Sequence, residues 1–208
     1  MNPASLPSVS VVIPSWIVRY LLESMVPSLL AAARRYEEAG TTQWEIIVID
    51  DAGTDDTQDW IETIPEKRVK LITRRRNGGF SRACNSGFLA SHYDVVVLLN
   101  NDVIVDPDFL MPLTRHFQDP DVFAVTCKAK GRDQVTFCNG GKIGEFYLGF
   151  WKAFRNYDRA TQGAMLDNPL ISFAVCGGFC AFDRHKLLNL GGFEPLMSPF
   201  YWEDVELS

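Results

Sequence analysis

Four short apolar runs constrain this chain more than any other feature. They span Val9 to Ile13, Ile46 to Ile49, Val69 to Thr73 and Val95 to Leu99. Runs this short, rich in β-branched residues and almost without polar alternation, read as strands buried on both faces. Helical patterns lie between them. Tyr20 to Tyr36 sets Leu21, Leu22, Met25, Leu29 and Ala33 near one face, with Pro27 expected to kink or restart the helix. A second helix carries Trp60 and Ile61 behind a cap at Thr54 or Asp55, and a third runs from Ala83 to Ala90 after Gly78 and Gly79. Strands alternating with helices imply an α/β fold with a mixed, mostly parallel sheet flanked by helices. Such sheets bind ligands beyond the carboxyl ends of their strands. Polar residues that directly follow a strand are therefore the first site candidates.

Beyond Asp106 the periodicity weakens. Asp106-Pro107 reads as the cap and first turn of a helix reaching Phe117, and Val122 to Lys128 as a strand. Phe137 to Tyr157 is rich in Gly and aromatics and reads as loops and short strands around a pocket. Ile171 to Val175 and Phe179 to Phe182 are strand-like, separated by Gly177-Gly178, and a short helix from Lys186 to Leu190 stops at Gly191-Gly192. Tyr201 to Leu207 looks like the opening of a helix just before Ser208, so the chain is expected to be truncated at its C-terminus.

With 208 residues, 47% of them hydrophobic, the chain has material for one medium-sized core. A net charge of -6 repels phosphate backbones and argues against nucleic acid as a partner. Five scattered cysteines do not form a disulfide framework and fit a reducing compartment. No stretch resembles a signal peptide or approaches the roughly 20 apolar residues of a membrane span. The expectation is a cytoplasmic protein, or one bound peripherally at the cytoplasmic face of a membrane.

Three polar constellations can carry chemistry. Asp50-Asp51 closes the second strand, and alternation along a strand lets one of the two face a ligand. Taken alone, the pair is equally a turn leading to Gly53. Asn100-Asn101-Asp102 closes the fourth strand and offers hard oxygen ligands that suit Mg²⁺ or Mn²⁺ bridged to phosphates, or again a polar turn. Glu203-Asp204 after Trp202 supplies a candidate general base, or simply the acidic first turn of a helix. Other chemistries find no support. Gly141-Lys142 is followed by Ile143, so there is no phosphate loop of the G-x-x-x-x-G-K-[ST] type, and no G-x-G-x-x-G follows the first strand. Cys176 and Cys180 near His185 lack zinc-like spacing, and Cys84 has no evident histidine partner.

The order of these pieces resembles glycosyltransferase family 2. Ser10-Val-Val-Ile-Pro-Ser15 is similar to the opening strand and donor loop. Val48-Ile-Asp-Asp-Ala-Gly-Thr-Asp-Asp-Thr57 is similar to the motif usually written VDDGSTD. Asn77-Gly-Gly-Phe-Ser-Arg-Ala-Cys-Asn-Ser-Gly87 resembles the segment before the fourth strand, and Leu98-Leu-Asn-Asn-Asp-Val103 stands where the family has its DxD-type motif. Cys176-Gly-Gly-Phe-Cys-Ala-Phe, then Gly191-Gly-Phe-Glu, then Trp202-Glu-Asp204 resembles the acceptor-side run ending in the ED motif. Each motif is weak alone; five in order, over nearly the whole chain, are specific. Two departures stand out. The DxD-type position reads Asn-Asn-Asp, a variant resembling rhamnosyltransferase-like members, and Ile17 follows Trp16 where the family often has Asn.

The resemblance implies a GT-A, Rossmann-like fold in a single domain over 1–208. Residues 1–105 would form the nucleotide-sugar-binding half and 106–208 an acceptor-side half that is incomplete. It implies that Pro14, Ser15, Asp51 and Asn77 hold the nucleotide, with Asp51 on the base. Asp102 would coordinate Mg²⁺ or Mn²⁺ with Asn101 beside it. Gly177 and Gly178 would let backbone approach donor or acceptor, and Asp204 would be the base with Glu203 next to it. The implied activity is inverting transfer from a UDP- or dTDP-sugar to a glycan or lipid-linked hydroxyl acceptor, in bacterial cell-envelope polysaccharide synthesis. A nucleotidyltransferase and a non-catalytic nucleotide-binding module are the alternatives.

Overall fold

Valine and isoleucine, stiff at χ1 and at home on a pleated surface, fill the strands that organise the fold. The computed structural model describes residues 6–40, 43–155, 172–197 and 202–208. Strands β1 (Val9–Ser15), β2 (Trp44–Asp50), β3 (Val69–Thr73) and β4 (Val95–Leu99) contain the four apolar runs. They alternate with helices α1 (Arg19–Glu38), α2 (Thr57–Glu62) and α3 (Phe80–Ala90). Then come α4 (Leu110–Thr114), β5 (Ala124–Thr126), β6 (Ala129–Lys130), β7 (Phe137–Asn139), β8 (Lys142–Tyr147) and β9 (Phe150–Arg155). β10 (Phe179–Asp183), α5 (Arg184–Asn189) and α6 (Glu203–Leu207) complete the described elements.

The main sheet has the order β3-β2-β1-β4-β10-β5. β1 to β4 pair in parallel, and β10 runs antiparallel to both β4 and β5. The chain leaves β1 outward to β2 and β3, then returns to place β4 on the other side of β1. The connections therefore reverse direction between the tips of β1 and β4, which is where an open α/β sheet leaves a crevice.

Both sheet faces are covered, as the unbroken apolar runs require. Val9, Val11, Ile13, Ile46, Val48 and Val97 face α1 and α4; Val12, Ile47, Ile49, Val96 and Leu98 face α3 and α5. Fully burying each such side chain contributes about 1.5–3 kcal/mol, so these two layers dominate stability. α1 runs on through Pro27 without a restart; Pro27 lies on the exposed face, where the carbonyl it fails to bond meets water. No helix among the described residues is long and apolar enough to cross a membrane.

The second half departs further from expectation. The helix after Asp106-Pro107 begins only at Leu110 and passes into a 3₁₀ turn at Arg115. Asp106 instead closes the preceding turn by accepting from the Asp108 amide at 2.9 Å. The strand expected over Val122 to Lys128 shrinks to β5, the three residues that pair with β10. Residues 172–175 form no strand, and Ile171 lies outside the described residues, as does Tyr201 before α6. The short strands expected from Phe137 onward are present as β7, β8 and β9, but 142–155 form a hairpin with exposed aromatics instead of lining a pocket; Tyr157 falls outside the described residues.

Candidate functional site

Hydrogen bonds join the candidate residues into a path across the carboxyl edge of the sheet. The Asp51 amide donates to the Ser15 carbonyl at 2.9 Å, and Asn101 Nδ2 donates to Ser15 Oγ at 3.3 Å across the β1–β4 crevice. The Asn100 amide donates to the Gly178 carbonyl at 2.8 Å, and the Gly177 amide donates to Asp204 Oδ2 at 3.0 Å. Pro14 sits in β1 beside Ile49, one residue before the crevice.

The loops after β1 and β2 are held from beneath. Asp55 accepts from the Arg19 amide at 3.0 Å, in the first turn of α1, and from Thr57 Oγ1 at 2.8 Å, in the first turn of α2. Burial would raise its pKa; these hydrogen bonds outweigh burial and hold it below the usual carboxylate value. The residue in the N-cap position of α2 is Asp56, whose side chain makes no capping bond, so Asp55 does the work expected of a cap from one position earlier. Both loops contain a non-glycine residue in the left-handed region, Ile17 at φ 54° and Ala52 at φ 60°.

Asp50 and Asp51 divide as strand alternation requires. Asp50 turns into the β2–α2 turn and accepts from the Gly53 amide at 2.8 Å. Its burial, reinforced by the charges of Asp55 and Asp51, pushes its pKa above the ordinary range despite that bond. Asp51 faces the loop after β3 and is buried there. It accepts from the Gly79 amide at 2.8 Å, from the Gly78 amide at 3.0 and 3.1 Å to its two oxygens, and from the Arg74 guanidinium. A carboxylate at this position also suits the N-terminus of α3, whose N-cap is Gly79. Asn77 Oδ1 shares the Gly79 amide at 3.1 Å.

At the tip of β4, Asp102 is exposed and has no hydrogen bond or ion pair among the described residues. No group of three or more His, Cys, Asp or Glu side chains capable of holding a metal forms among the described residues. The donor set nevertheless fits a hard divalent cation of the kind held by one or two carboxylates plus phosphate and water, because both Asp102 oxygens are available. The two glycines before β10 are close-approach positions. A Cβ on Gly178 would fall 2.7 Å from Asn100 Nδ2, and one on Gly177 would fall 3.2 Å from Asp204 Cβ.

Glu203 and Asp204 have different surroundings. Glu203 is buried beside Cys84, and burial, then the Asp204 charge, raises its pKa. Asp204 is partly exposed, held by Gly177, with Lys142 Nζ 3.9 Å away. Of the pair, Asp204 is the more accessible one and the one held by a backbone amide. Lys142 and Arg74 approach candidate carboxylates; Arg74 belongs to the basic run Arg74-Arg75-Arg76, which by its charge can hold a small anion, and Lys142 has no signal of its own in the sequence. Each meets its carboxylate from a distant segment. Four of the thiols are poor nucleophiles: burial raises the pKa values of Cys84, Cys176 and Cys180 and pushes Cys127 up to about 12. A hollow of about 420 Å³ between α2 and β3, lined by residues such as Gln58, Glu62 and Thr73, contains none of the candidate residues.

Comparison with known proteins bears on the family and the fold. The sequence profile described as glycosyl transferase family 2 matches residues 10–190. An undecaprenyl-phosphate 4-deoxy-4-formamido-L-arabinose transferase from Pectobacterium atrosepticum is 28% identical over 131 residues, covering 62% of this chain and 39% of that protein. A poly-beta-1,6-N-acetyl-D-glucosamine synthase from Staphylococcus aureus is 34% identical over 101 residues, covering 48% of this chain and 24% of that protein. This chain thus spans well under half the length of either relative. Among solved structures, a mannosyltransferase from Pyrobaculum calidifontis in complex with GDP-Man and Mn²⁺ superposes with a TM-score of 0.67 at 21% identity, over 99% of this chain and 52% of that one. At that identity the likeness speaks to the fold, which is GT-A.

Proposed function

This chain belongs to glycosyl transferase family 2, and on that premise we propose that it moves a sugar from a nucleoside-diphosphate donor to a hydroxyl acceptor, with inversion. The observation that carries the reading is the hydrogen-bonded path linking Ser15, Asp51, Asn101, Gly178, Gly177 and Asp204 along one edge of the sheet. It supports a donor side at β1, β2 and β4 facing an acceptor side at Gly177 and Asp204.

In this reading the Pro14-Ser15 backbone and the loop 74–79, drawn in by Asp51, wall the nucleotide. Three N–H groups, one shared between both oxygens, make four contacts on Asp51, so a base N–H would take the place of one of them. Asp102 and Asn101 lie where a diphosphate would leave. Mg²⁺ or Mn²⁺, when bound by Asp102, would neutralise charge on the departing diphosphate. On the other side Asp204 takes the proton of the acceptor hydroxyl as its oxygen bonds to the anomeric carbon and the bond to the diphosphate oxygen breaks. One displacement with base and leaving group on opposite sides inverts the centre. Gly177 orients the carboxylate, and Lys142 Nζ lies 3.9 Å from it. A positioned base contributes about a hundredfold or more.

A UDP- or dTDP-sugar is the proposed donor; the Asn-Asn-Asp-Val sequence, which resembles rhamnosyltransferase-like members, brings in a dTDP-deoxysugar on equal terms with a UDP-sugar. A glycan or lipid-linked acceptor in bacterial envelope polysaccharide synthesis is proposed because the named relatives transfer to undecaprenyl-phosphate or build a polysaccharide. Five free thiols fit the cytoplasm or its membrane face. The nucleotidyltransferase alternative gains nothing from the Pro14-Ser15-Trp16 loop, which lacks the Gly-rich, basic character needed there.

The test is thermal unfolding with UDP-, dTDP- and GDP-sugars, with and without Mn²⁺. At a hundredfold excess over Kd a true donor stabilises by about 2.7 kcal/mol, roughly 5–10 °C in Tm for a chain of this size. Asp102→Ala should remove the Mn²⁺-dependent part of that shift, and Asp204→Ala should keep it while abolishing transfer. No shift with any nucleotide sugar, or transfer surviving in Asp204→Ala, refutes the assignment.

A further inference from the structure

The β8–β9 hairpin carries the largest concentration of exposed aromatic surface on the described chain. Phe146, Tyr147, Leu148, Phe150 and Trp151 are between 52% and 78% exposed. We infer that this hairpin tip is a membrane-docking element that enters the interfacial layer of an anionic bilayer.

Three observations select lipid over a protein partner. First, the tip is apolar on both faces. Phe146 pairs with Trp151 on one face and Tyr147 with Phe150 on the other. A hairpin that docks on a protein surface needs one apolar face and leaves the other to water. A fluid apolar phase covers both. Packing within the chain does not relieve the exposure, for Trp151 stacks on Phe173 at 5.3 Å and remains 58% exposed.

Second, the turn residue contradicts local chemistry. Leu148 and Gly149 have φ values of 49° and 84°, the pair of left-handed residues that a two-residue hairpin turn requires. Asn or Asp is favoured at the first of these positions. Leucine is strained there and is 78% exposed, so water and backbone both oppose it. Such conflicts mark functional positions.

Third, the charges complement an anionic surface. Residues 128–152 hold five Lys or Arg against two Asp or Glu, a local +3 in a chain of -6. Lys152 Nζ lies 4.4 Å from the centre of the Tyr147 ring, so its stem follows aromatic surface while its ammonium sits at headgroup level. Trp and Tyr at this depth match the aromatic belts of membrane interfaces.

The far end of the same strand is Lys142, beside Asp204. Six residues of β8 span about 20 Å, so a docked tip would hold the proposed base within a short reach of the lipid surface. The docking inference itself does not depend on the transfer reaction.

Co-sedimentation with phosphatidylcholine vesicles, with and without phosphatidylglycerol, tests it on the whole chain without nucleotide sugar. Failure here and failure of the transfer reading are therefore separate results. The wild type should partition to the anionic vesicles, less so at high salt. The double variant Leu148→Asn, Phe150→Ser should lose roughly tenfold or more of that partitioning, as two apolar side chains leave the lipid. Its Tm should hold or rise, since Asn suits the turn. Lys152→Glu should weaken binding to anionic vesicles alone. Absence of wild-type binding, unchanged binding in the double variant, or a wild-type dimer that the double variant dissociates would each overturn the inference.

Discussion

Ile17 and Ala52 sit in the left-handed region on the two loops that flank the crevice. A β-branched residue there is a true outlier, and even alanine is strained relative to glycine. Ala52 occupies the glycine position of the VDDGSTD-type motif, and Ile17 the position where the family often has Asn, a residue that tolerates this backbone. Ile17 takes the left-handed backbone that Asn tolerates, and Asp55 holds the end of its loop by accepting from the Arg19 amide. Ile17→Asn and Ala52→Gly should each raise stability by about 1 kcal/mol, read as an upward shift of the urea midpoint with an unchanged slope. A lower midpoint in either variant would show that the strain is not there.

At the scale of elements, the continuous apolar strands were legible because burial on both faces leaves an unbroken run in the chain. From Ala124 to Asn139 only the presence of short strands was legible and not their bounds, since strands of two or three residues have no period to detect and their pairing is a long-range fact. Glu45 shows the same limit for charge. It reads as a polar residue ahead of a strand, yet it is buried inside β2 at the amino end of the sheet, away from the crevice. It accepts from Ser10 Oγ of β1 at 2.7 Å, from Lys70 Nζ of β3 at 2.7 Å and from the His92 amide at 2.9 Å. Burial raises its pKa, but the bonds from Lys70, Ser10 and His92 outweigh burial and the folded value lies below 4.5. A depressed carboxylate stabilises the fold fully above its unfolded value and loses that contribution as pH falls through the folded value. Glu45→Gln should therefore cost about 1–2 kcal/mol near neutrality, and the gap from wild type should close below pH 4.5. A gap that stays constant in chemical denaturation from neutral to strongly acidic pH would mean that Glu45 contributes shape and not charge.

Across the whole molecule, no single acidic pair identified the site. Asp51, Asp102 and Asp204 each had a plain structural reading, and only their order along the chain and the reversal of strand order around β1 bring them to one edge. The glycine pair ahead of β10 touches both the proposed donor side and the proposed acceptor side. Gly178 packs on Asn100 at the β4 tip, while Gly177 packs on Asp204. An added Cβ 2.7 Å from the Asn100 amide must displace that side chain and strain the β4–β10 join. Gly178→Ala should cost about 1–3 kcal/mol of stability and weaken metal-dependent donor binding. At Gly177 the new atom would meet Asp204 Cβ at 3.2 Å, a contact relieved by a few tenths of an ångström at the base. Gly177→Ala should therefore lower transfer at least tenfold, the order of loss that small misplacements of a reacting group produce, with donor affinity nearly unchanged by calorimetry. Equal loss of donor binding in both variants would mean that the halves are not divided at this turn, and that the path from Ser15 to Asp204 acts as one site rather than two.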